Sequence, residues 1–163
     1  VGGTGGAGTT TLNDGSWHHI GYTYTYDAST TYYTVNIYVD GNSTPEVVAS
    51  MRTTGGYQTR GLYSIGVLTN WNGTHYAGTQ YPGLIDEISA WDTSLSTADI
   101  ATLAGGPNDL TTALSTTPVA WWRMGDAASW DGSNWTLTDQ GSGGNNVTSV
   151  NMEEEDRVTD IPS

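Results

Sequence analysis

Residues 83–103 read GLIDEISAWDTSLSTADIATL, and two hydrophobic periods meet within this stretch. From Leu84 to Trp91 the residues alternate, which predicts a strand with one buried face. The two predicted faces consist of Ile85, Glu87, Ser89 and Trp91, and of Asp86, Ile88 and Ala90. We therefore expect a strand from the middle of a sheet, ended by Asp92-Thr93-Ser94.

A short helix is predicted directly after this strand, near 96–104. Ser96 is a suitable N-cap, and Asp99 three residues later places a negative charge in the first turn, where the helix dipole favours it. Ile100 and Leu103 fall on one face, and Gly105-Gly106-Pro107 ends the helix. We expect the apolar face of this helix to lie against the sheet.

The whole run resembles the signature G-x-I-D-E-[VI]-x-x-W-[DN]-x-x-L-S-x-x-[ED]-I, which closes laminin-G-like and pentraxin-like domains. The resemblance continues upstream in LNDGSWHHIGYTYTYD (12–27) and VNIYVDGN (35–42). It implies an all-β fold, an antiparallel two-sheet jelly-roll sandwich of the concanavalin A type with one short helix. Lectins, adhesion modules, structural proteins and enzymes share this fold, so the resemblance predicts the fold better than the function.

Composition agrees with a β-sandwich and excludes several functions. The chain has 163 residues, enough for one domain, with seven Trp, ten Tyr, no Phe and no Cys. Its net charge of −13, with four Arg and no Lys, excludes binding to a nucleic-acid backbone and disfavours an anionic membrane surface. No apolar run approaches the roughly 18 residues of a membrane span. Because laminin-G domains of secreted animal proteins usually carry a disulfide, the missing Cys points to a bacterial or viral source.

Further strands are predicted at a spacing of about ten residues, as in an antiparallel sandwich. They cover 17–26, 33–40, 47–51 and 62–68, and Asp40-Gly41 is the expected hairpin turn. Val35, Ile37 and Val39 should point inward. Residues 69–82 are predicted to form a long polar loop.

The predicted domain organisation places a flexible lead-in at 1–11, the sandwich at 12–151 and an acidic tail at 152–163. Within the sandwich, 12–106 carries the main signature, and 118–151 contains PVAWWRMGD and TLTDQGSGGNN, which resemble the opening of a bacterial laminin-G repeat. Two interpretations remain: the tail begins or imitates a second repeat, or its strand docks beside 84–91. We favour docking. Because the opening strands of the family are missing before Leu12, we expect the chain to be the C-terminal part of a longer protein.

The candidate ligand site lies in the predicted loop 69–82. Sugars stack on flat aromatic faces while amide side chains bind their hydroxyls, so we predict a glycan platform there. Its candidate residues are Asn70, Trp71, Asn72, Tyr76 and Tyr81. The alternative is that Trp71 covers the core or is buried against a partner subunit.

Calcium is the candidate cofactor, because pentraxin-like members bind it in the loop before the closing strand. The corresponding candidate ligands are Asn70, Asn72 and Gln80. Neutral amides stand where the family has an acidic pair, which lowers the expected affinity. Asp126 and Asp139 are alternative ligands in the tail.

No enzymatic activity is predicted. His18 and His19 are adjacent on a predicted strand, point to opposite faces and cannot chelate one ion together. No G-x-S-x-G motif occurs. The closing strand offers only Asp86 and Glu87, which should face opposite ways rather than form a glycosidase pair. Buried acids need partners, and Arg123 or nearby turn amides are the candidates.

We expect a non-enzymatic virion surface protein of a bacterial virus, a head decoration or fibre with a lectin-like, glycan-binding sandwich. The C-terminal motif from WWRMGD to NMEEEDRVTDIP resembles the ends of proteins encoded by aquatic phages. Its partners would be other virion proteins or identical subunits in a homo-oligomer, and cell-surface or environmental polysaccharide. The alternative is a carbohydrate-binding or adhesion module of a secreted bacterial protein, located outside the cell or on the bacterial surface.

Overall fold

The computed structural model describes residues 3–52, 65–69, 75–106, 109–150 and 152–158. Within these ranges the regular secondary structure is mostly antiparallel strand, with one α-helix. The first strands are β1 (Gly3–Thr4), β2 (Ile20–Asp27), β3 (Tyr32–Val39), β4 (Val47–Arg52), β5 (Val67–Thr69), β6 (His75–Gln80) and β7 (Ile88–Ala90). They are followed by α1 (Thr97–Ala104), β8 (Ala120–Trp122), β9 (Ala128–Trp130), β10 (Trp135–Leu137), β11 (Val147–Thr148) and a 3-10 turn at Glu154–Asp156. Residues 1–54 and 86–163 form one compact unit, and residues 55–85 form a second.

The largest sheet of the first unit has the order β1-β4-β3-β2, and its neighbouring strands pair antiparallel. Its register gives one face that is almost entirely apolar, as predicted for Val35, Ile37 and Val39. This face contains Ile20, Tyr22, Tyr24, Tyr26, Tyr33, Val35, Ile37, Val39, Val47 and Ala49. Tyr33 is 2% exposed and stacks on Tyr24 with ring centroids 4.5 Å apart, whereas Tyr22 is 69% exposed. The pattern therefore identifies the face but not the depth of each side chain.

Helix α1 confirms the predicted capping. The Ser96 hydroxyl accepts from the Asp99 amide at 3.1 Å, and the Asp99 carboxylate accepts from the Ser96 amide at 3.1 Å. Ile100 is 3% exposed and packs on the face of β2 opposite its tyrosines, since a methyl group built on Gly21 would lie 3.2 Å from Ile100 Cγ2. The small residues of β2 therefore make room for the helix.

The turn after β3 forms the second contact with the helix. Asp40 and Gly41 both have positive φ, 51° and 69°, and the Asn42 amide donates to the Val39 carbonyl at 3.0 Å. A Cβ on Gly41 would approach Ala104 Cβ to 2.8 Å and Ala101 Cα to 3.2 Å. Position 41 therefore requires glycine for its backbone angle and for the close approach of α1.

The closing strand is shorter than predicted. Strand β7 covers only Ile88–Ala90, and residues 84–87 before it are not in a strand. Glu87 ends the regular backbone on that side, because its φ of 50° is left-handed and costs a non-glycine residue about 1–2 kcal/mol. In the described part of the chain, β7 pairs with β8 on one side, and the expected position in the middle of a sheet stays a prediction.

The tail segment lies beside this strand. Strand β8 pairs antiparallel with β7, Ile88 opposite Trp122, and both Trp121 and Trp122 are about 95% buried (5% and 4% exposed). Strands β9, β10 and β11 form a separate three-stranded sheet in the order β11-β10-β9. The pair Trp130 and Trp135 places two indole rings 5.4 Å apart on that sheet. Tryptophan provides much of the core in this half of the unit.

Residues 138–146, the Asp139 loop, bind the backbone of the segment that enters β8. Amides of the loop donate to three carbonyl groups of that segment, with the pairs Gln140 to Trp121 (2.7 Å), Ser142 to Pro118 (3.0 Å) and Gly143 to Val119 (2.9 Å). A Cβ on Gly141 would lie 2.7 Å from Ala120 Cα. The glycines of QGSGG therefore permit backbone-to-backbone contact that side chains would block.

The Asp139 carboxylate is buried and holds this loop together. Its Oδ1 accepts from the amides of Trp121 (2.8 Å) and Gly141 (2.7 Å), and its Oδ2 accepts from the amide of Asn145 (2.7 Å). Burial alone would raise the pKa of Asp139, but these three amides outweigh it and lower the pKa. The carboxylate is therefore an internal anion that the backbone stabilises.

The second unit contains the antiparallel pair β5–β6. The long loop predicted over 69–82 was wrong for residues 75–80, which form β6 and pair Gln80 with Val67. Gly78 has a φ of 74°, and the register shifts between Val67 and Thr69. An exposed, polar and irregular strand of this kind lacks the alternation by which strands are predicted. The strand predicted over 62–68 begins later, at Val67, as far as the described residues show.

Substituting Gly41→Ala should destabilise the first unit, because it combines backbone strain with a steric conflict against α1. The left-handed backbone alone costs about 1–2 kcal/mol, and overpacking adds about 1–3 kcal/mol. The matched control is Gly15→Ala, at a φ of 89° with no atom within 4 Å of the new methyl group. We expect urea denaturation to give a free energy of unfolding lower for Gly41→Ala than for Gly15→Ala by at least about 1 kcal/mol. Equal losses in the two variants would contradict the packing of α1 on this turn.

Substituting Asp139→Asn should cost about 1–3 kcal/mol of unfolding free energy, because both carboxylate oxygens accept amides and Asn offers one oxygen. One backbone donor would then face the side-chain NH₂. The control is Asp131→Asn, where a single oxygen accepts both amides, from Ser133 and Asn134, and Asn can replace it.

The pH dependence of stability gives the second measurement for Asp139. Since its pKa is lowered in the folded state, its stabilisation is present above the ordinary value of 3.8 and is lost as the pH falls through the folded pKa. The loss caused by Asp139→Asn should therefore shrink in acid. A loss that stays constant down to acid unfolding would argue against an ionised Asp139.

Candidate functional site

The predicted glycan residues that the structure describes lie on and just after β6. Tyr76 and Gln80 belong to β6, and Tyr81 follows it. Asn70, Trp71 and Asn72 lie outside the described residues. Tyr76 and Tyr81 are 50% and 55% exposed, and the side chain of Gln80 is also exposed. Two half-exposed aromatic rings and an amide thus occur within six residues of one another.

The backbone around Tyr81 fixes the position of its ring. The Tyr81 amide donates to the Gly66 carbonyl at 2.7 Å, which anchors this residue to the start of the β5–β6 pair. A Cβ on Gly83 would lie 2.7–2.8 Å from Cε1, Cζ and Oη of Tyr81. The ring therefore lies against the bare backbone of Gly83, and more than half of the residue remains exposed.

The predicted calcium ligands lie in different parts of the chain. Among the residues that the structure describes, no group of three or more His, Asp and Glu side chains has the arrangement of a metal site. The alternative ligand Asp139 accepts three backbone amides, whose hydrogen atoms point at the oxygens a cation would need. Asp126, the other alternative, forms an ion pair with Arg123 at 2.8 Å. Gln80 is exposed, and in the chain it lies four residues after Tyr76 and directly before Tyr81.

Glu87 is the centre of a polar network rather than half of a catalytic pair. Its Oε1 accepts from Arg123 Nε at 3.0 Å, and its Oε2 accepts from the indole of Trp121 at 2.7 Å. Arg123 was a predicted partner, and Trp121 was missed because an indole N–H leaves no charge pattern in a sequence. Both donors come from β8 and the residue after it. The network thus explains why Glu87 tolerates a left-handed backbone.

Asp86 lies next to this network and is half-buried. Its Oδ1 accepts from the amide of Glu87 at 2.8 Å. Burial raises the pKa of Asp86, and the negative charges of Glu87 and Asp126 add to that effect. A raised carboxyl pKa is one property of a general acid, but the neighbouring carboxylates Glu87 and Asp126 are both paired with Arg123.

The two adjacent histidines have different environments. The ring of His18 contacts Asp40 through Nδ1 at 2.8 Å and Asp14 through Nε2 at 3.2 Å, and hydrogen bonds to these two acids raise its pKa. His19 has a buried Nδ1 without a hydrogen-bond partner among the described residues, and burial lowers its pKa. The two rings thus have separate surroundings, but the predicted strand position was wrong for both, because β2 begins only at Ile20.

No helix in the described ranges has the length and apolarity needed to cross a membrane.

A comparison with protein-family models identifies the fold. No curated protein and no solved structure matches the chain. A family model described as the concanavalin A-like lectin/glucanases superfamily (Laminin_G_3) matches residues 2–101, which include both the tyrosine-rich sheet and the closing strand with its helix. The match confirms the resemblance that the sequence signature indicates, and the chain belongs to this superfamily.

Proposed function

We propose that this chain is a non-catalytic carbohydrate-binding or adhesion module, and that the glycan binds beside β6. The observation that supports this most directly is the exposure of Tyr76 and Tyr81, 50% and 55%, within six residues of each other. Aromatic side chains are normally buried because they are large and apolar, so two exposed tyrosines, one on β6 and one directly after it, are a candidate contact surface. Gln80 between them supplies both a donor and an acceptor for sugar hydroxyls.

Support for a non-catalytic role comes from the engagement of the acidic side chains. A glycosidase needs an acid and a second carboxylate on either side of a glycosidic bond. Here Glu87 accepts from Trp121 and Arg123, and Asp126 is paired with the same Arg123. The buried Asp139 is enclosed by backbone amides. These carboxylates serve the fold, and binding without bond cleavage is the function that this arrangement favours.

Tyr76→Ala and Tyr81→Ala should each weaken binding to a glycan selected on an array by up to about tenfold. An aromatic contact contributes about 0.5–1.5 kcal/mol, and 1.4 kcal/mol corresponds to a factor of ten in Kd. Gly83→Ala should weaken binding while keeping both rings, because the new methyl group would displace Tyr81. Tyr22→Ala is the matched control, since Tyr22 is 69% exposed but belongs to the other unit. Equal losses in all variants, or none in any, would contradict a site beside β6.

The same titrations test the calcium proposal. Because the candidate ligands are neutral amides, we propose a weak calcium site formed by Asn70, Asn72 and Gln80. Calcium chloride should then strengthen glycan binding relative to EDTA, and Gln80→Ala should remove the difference. If EDTA and calcium give the same Kd for the original protein, calcium is not part of the site.

The more specific proposal is display on the virion of a bacterial virus, as a head decoration or fibre that contacts other virion proteins or identical subunits. It rests on the resemblance of the C-terminal motif to phage proteins. Decoration proteins form symmetric oligomers with large interfaces, so light scattering should give a defined oligomer at micromolar concentration. A monomer that binds glycans would instead favour a module of a secreted bacterial protein, outside the cell or on its surface.

A further inference from the structure

The ring of His18 lies between two carboxylates from different parts of the chain. Its Nδ1 is 2.8 Å from Asp40 Oδ2, and its Nε2 is 3.2 Å from Asp14 Oδ1. The His18 side chain is 15% exposed, whereas those of Asp14 and Asp40 are 45% and 49% exposed. We call this arrangement the His18 bridge.

The geometry of the His18 bridge requires a protonated ring. A neutral imidazole has one N–H donor and one acceptor nitrogen, while an ionised carboxylate only accepts. Two carboxylates can therefore both be satisfied only by the imidazolium, which donates from both nitrogens. In the neutral ring, one nitrogen lone pair would face a carboxylate oxygen.

The bridge connects the segment before β2 to the turn beneath helix α1. Asp40 Oδ1 accepts from the His19 amide at 2.9 Å, and the Asp40 amide donates to the His19 carbonyl at 2.8 Å, so this end is fixed by the backbone. At the other end, Asp14 is tied locally to the Ser16 amide at 2.8 Å. Of the two ring contacts, the one with Asp14 is longer and has no such backbone support across the bridge.

We propose that the His18 bridge is a pH-sensitive device: protonated His18 holds residues 14–16 against the Asp40-Gly41 turn, and deprotonation releases them while the Asp40 contact persists. The neutral ring keeps its Nδ1–H on Asp40 because that contact is shorter and better supported. The released residues lead directly into β2, so the change is confined to the start of the largest sheet.

The surroundings favour protonation of His18 over protonation of His19. Asp14 and Asp40 are the charged side chains that face the His18 ring among the residues that the structure describes. Burial lowers the pKa of His19, and the smaller effect of the Asp40 charge opposes it, so His19 loses its proton at a lower pH than His18 does. The pKa values of the two adjacent histidines are therefore shifted in opposite directions from the ordinary value.

The sign of the pH dependence follows from these shifts. The pKa of His18 is raised by its hydrogen bonds to Asp40 and Asp14, so the stabilisation is complete below 6.5 and is lost as the pH rises through the folded pKa. The pKa of Asp14 is lowered, first by the Ser16 amide and then by His18, so at the acid end the bridge is lost as the pH falls through that lower pKa. The bridge is closed between these two limits.

A nuclear magnetic resonance titration of the intact chain tests this device. The His18 ring signals, assigned in the unsubstituted chain through their correlations to the backbone, should titrate above 6.5, and the backbone amide signals of residues 14–16 should move with the same pKa. Asp14→Asn and Asp40→Asn should each lower that pKa. Asp131→Asn, a change in a similar exposed turn, should leave it unaltered.

Two further results separate release from a purely structural role. The difference in unfolding free energy between the original chain and His18→Gln should be present at pH 6 and should disappear above the His18 pKa. The proposal is overturned if His18 titrates at or below 6.5, if Asp14→Asn leaves its pKa unchanged, or if residues 14–16 do not follow its titration. Because the ring and amide titrations use the unsubstituted chain, they decide the matter even if His18→Gln does not fold.

Discussion

The buried carboxylate of Asp139 is the constraint on which much of the first unit depends. An ionised carboxylate away from water must be satisfied by donors, and Asp139 takes three of them from the backbone of two segments. The loop that supplies two of these amides is thereby held against residues 118–121, which it binds through three backbone hydrogen bonds. The next residue, Trp122, pairs with Ile88 of the closing strand. The Asp139 carboxylate thus helps to hold β8 in place beside the closing strand, which carries the family signature.

The packing of helix α1 depends on two glycines, which have no side chains to block it. Gly21 and Gly41 leave the space in which α1 packs, while the tyrosines of β2 point to the other face of the sheet. This division is possible because alternate residues of a strand face opposite ways. On β2, Gly21 lies on the side of the helix and the tyrosines lie on the other side. The missing side chains of Gly21 and Gly41 therefore allow α1 to pack closely on this part of the unit.

The sequence predicts local features well and tertiary features less well. Capping of α1 by Ser96 and Asp99 and the turn at Asp40-Gly41 follow from short-range chemistry, and both are confirmed. The length of the closing strand depends on Glu87, whose left-handed backbone is stabilised by Trp121 and Arg123 more than thirty residues away, and no local pattern shows that. Strand β6 was missed because an exposed strand has no buried face to create alternation. The exposure of Tyr76 and Tyr81 likewise became known only from the structure.

The acidic composition also shapes what this surface can bind. With 17 acidic residues and four Arg, most carboxylates have no cation available, and several use the backbone instead. Asp14, Asp27, Asp109 and Asp131 each accept from the amide two residues ahead. The pKa values of all four are lowered, chiefly by backbone amides at Asp14 and Asp131, and at Asp27 and Asp109 chiefly by the hydroxyls of Ser29 and Thr111 and then by the amides. These acids stay ionised near neutral pH, so the surface repels polyanions. The proposed glycan ligand is therefore expected to be uncharged rather than acidic, because a neutral ligand meets no such repulsion.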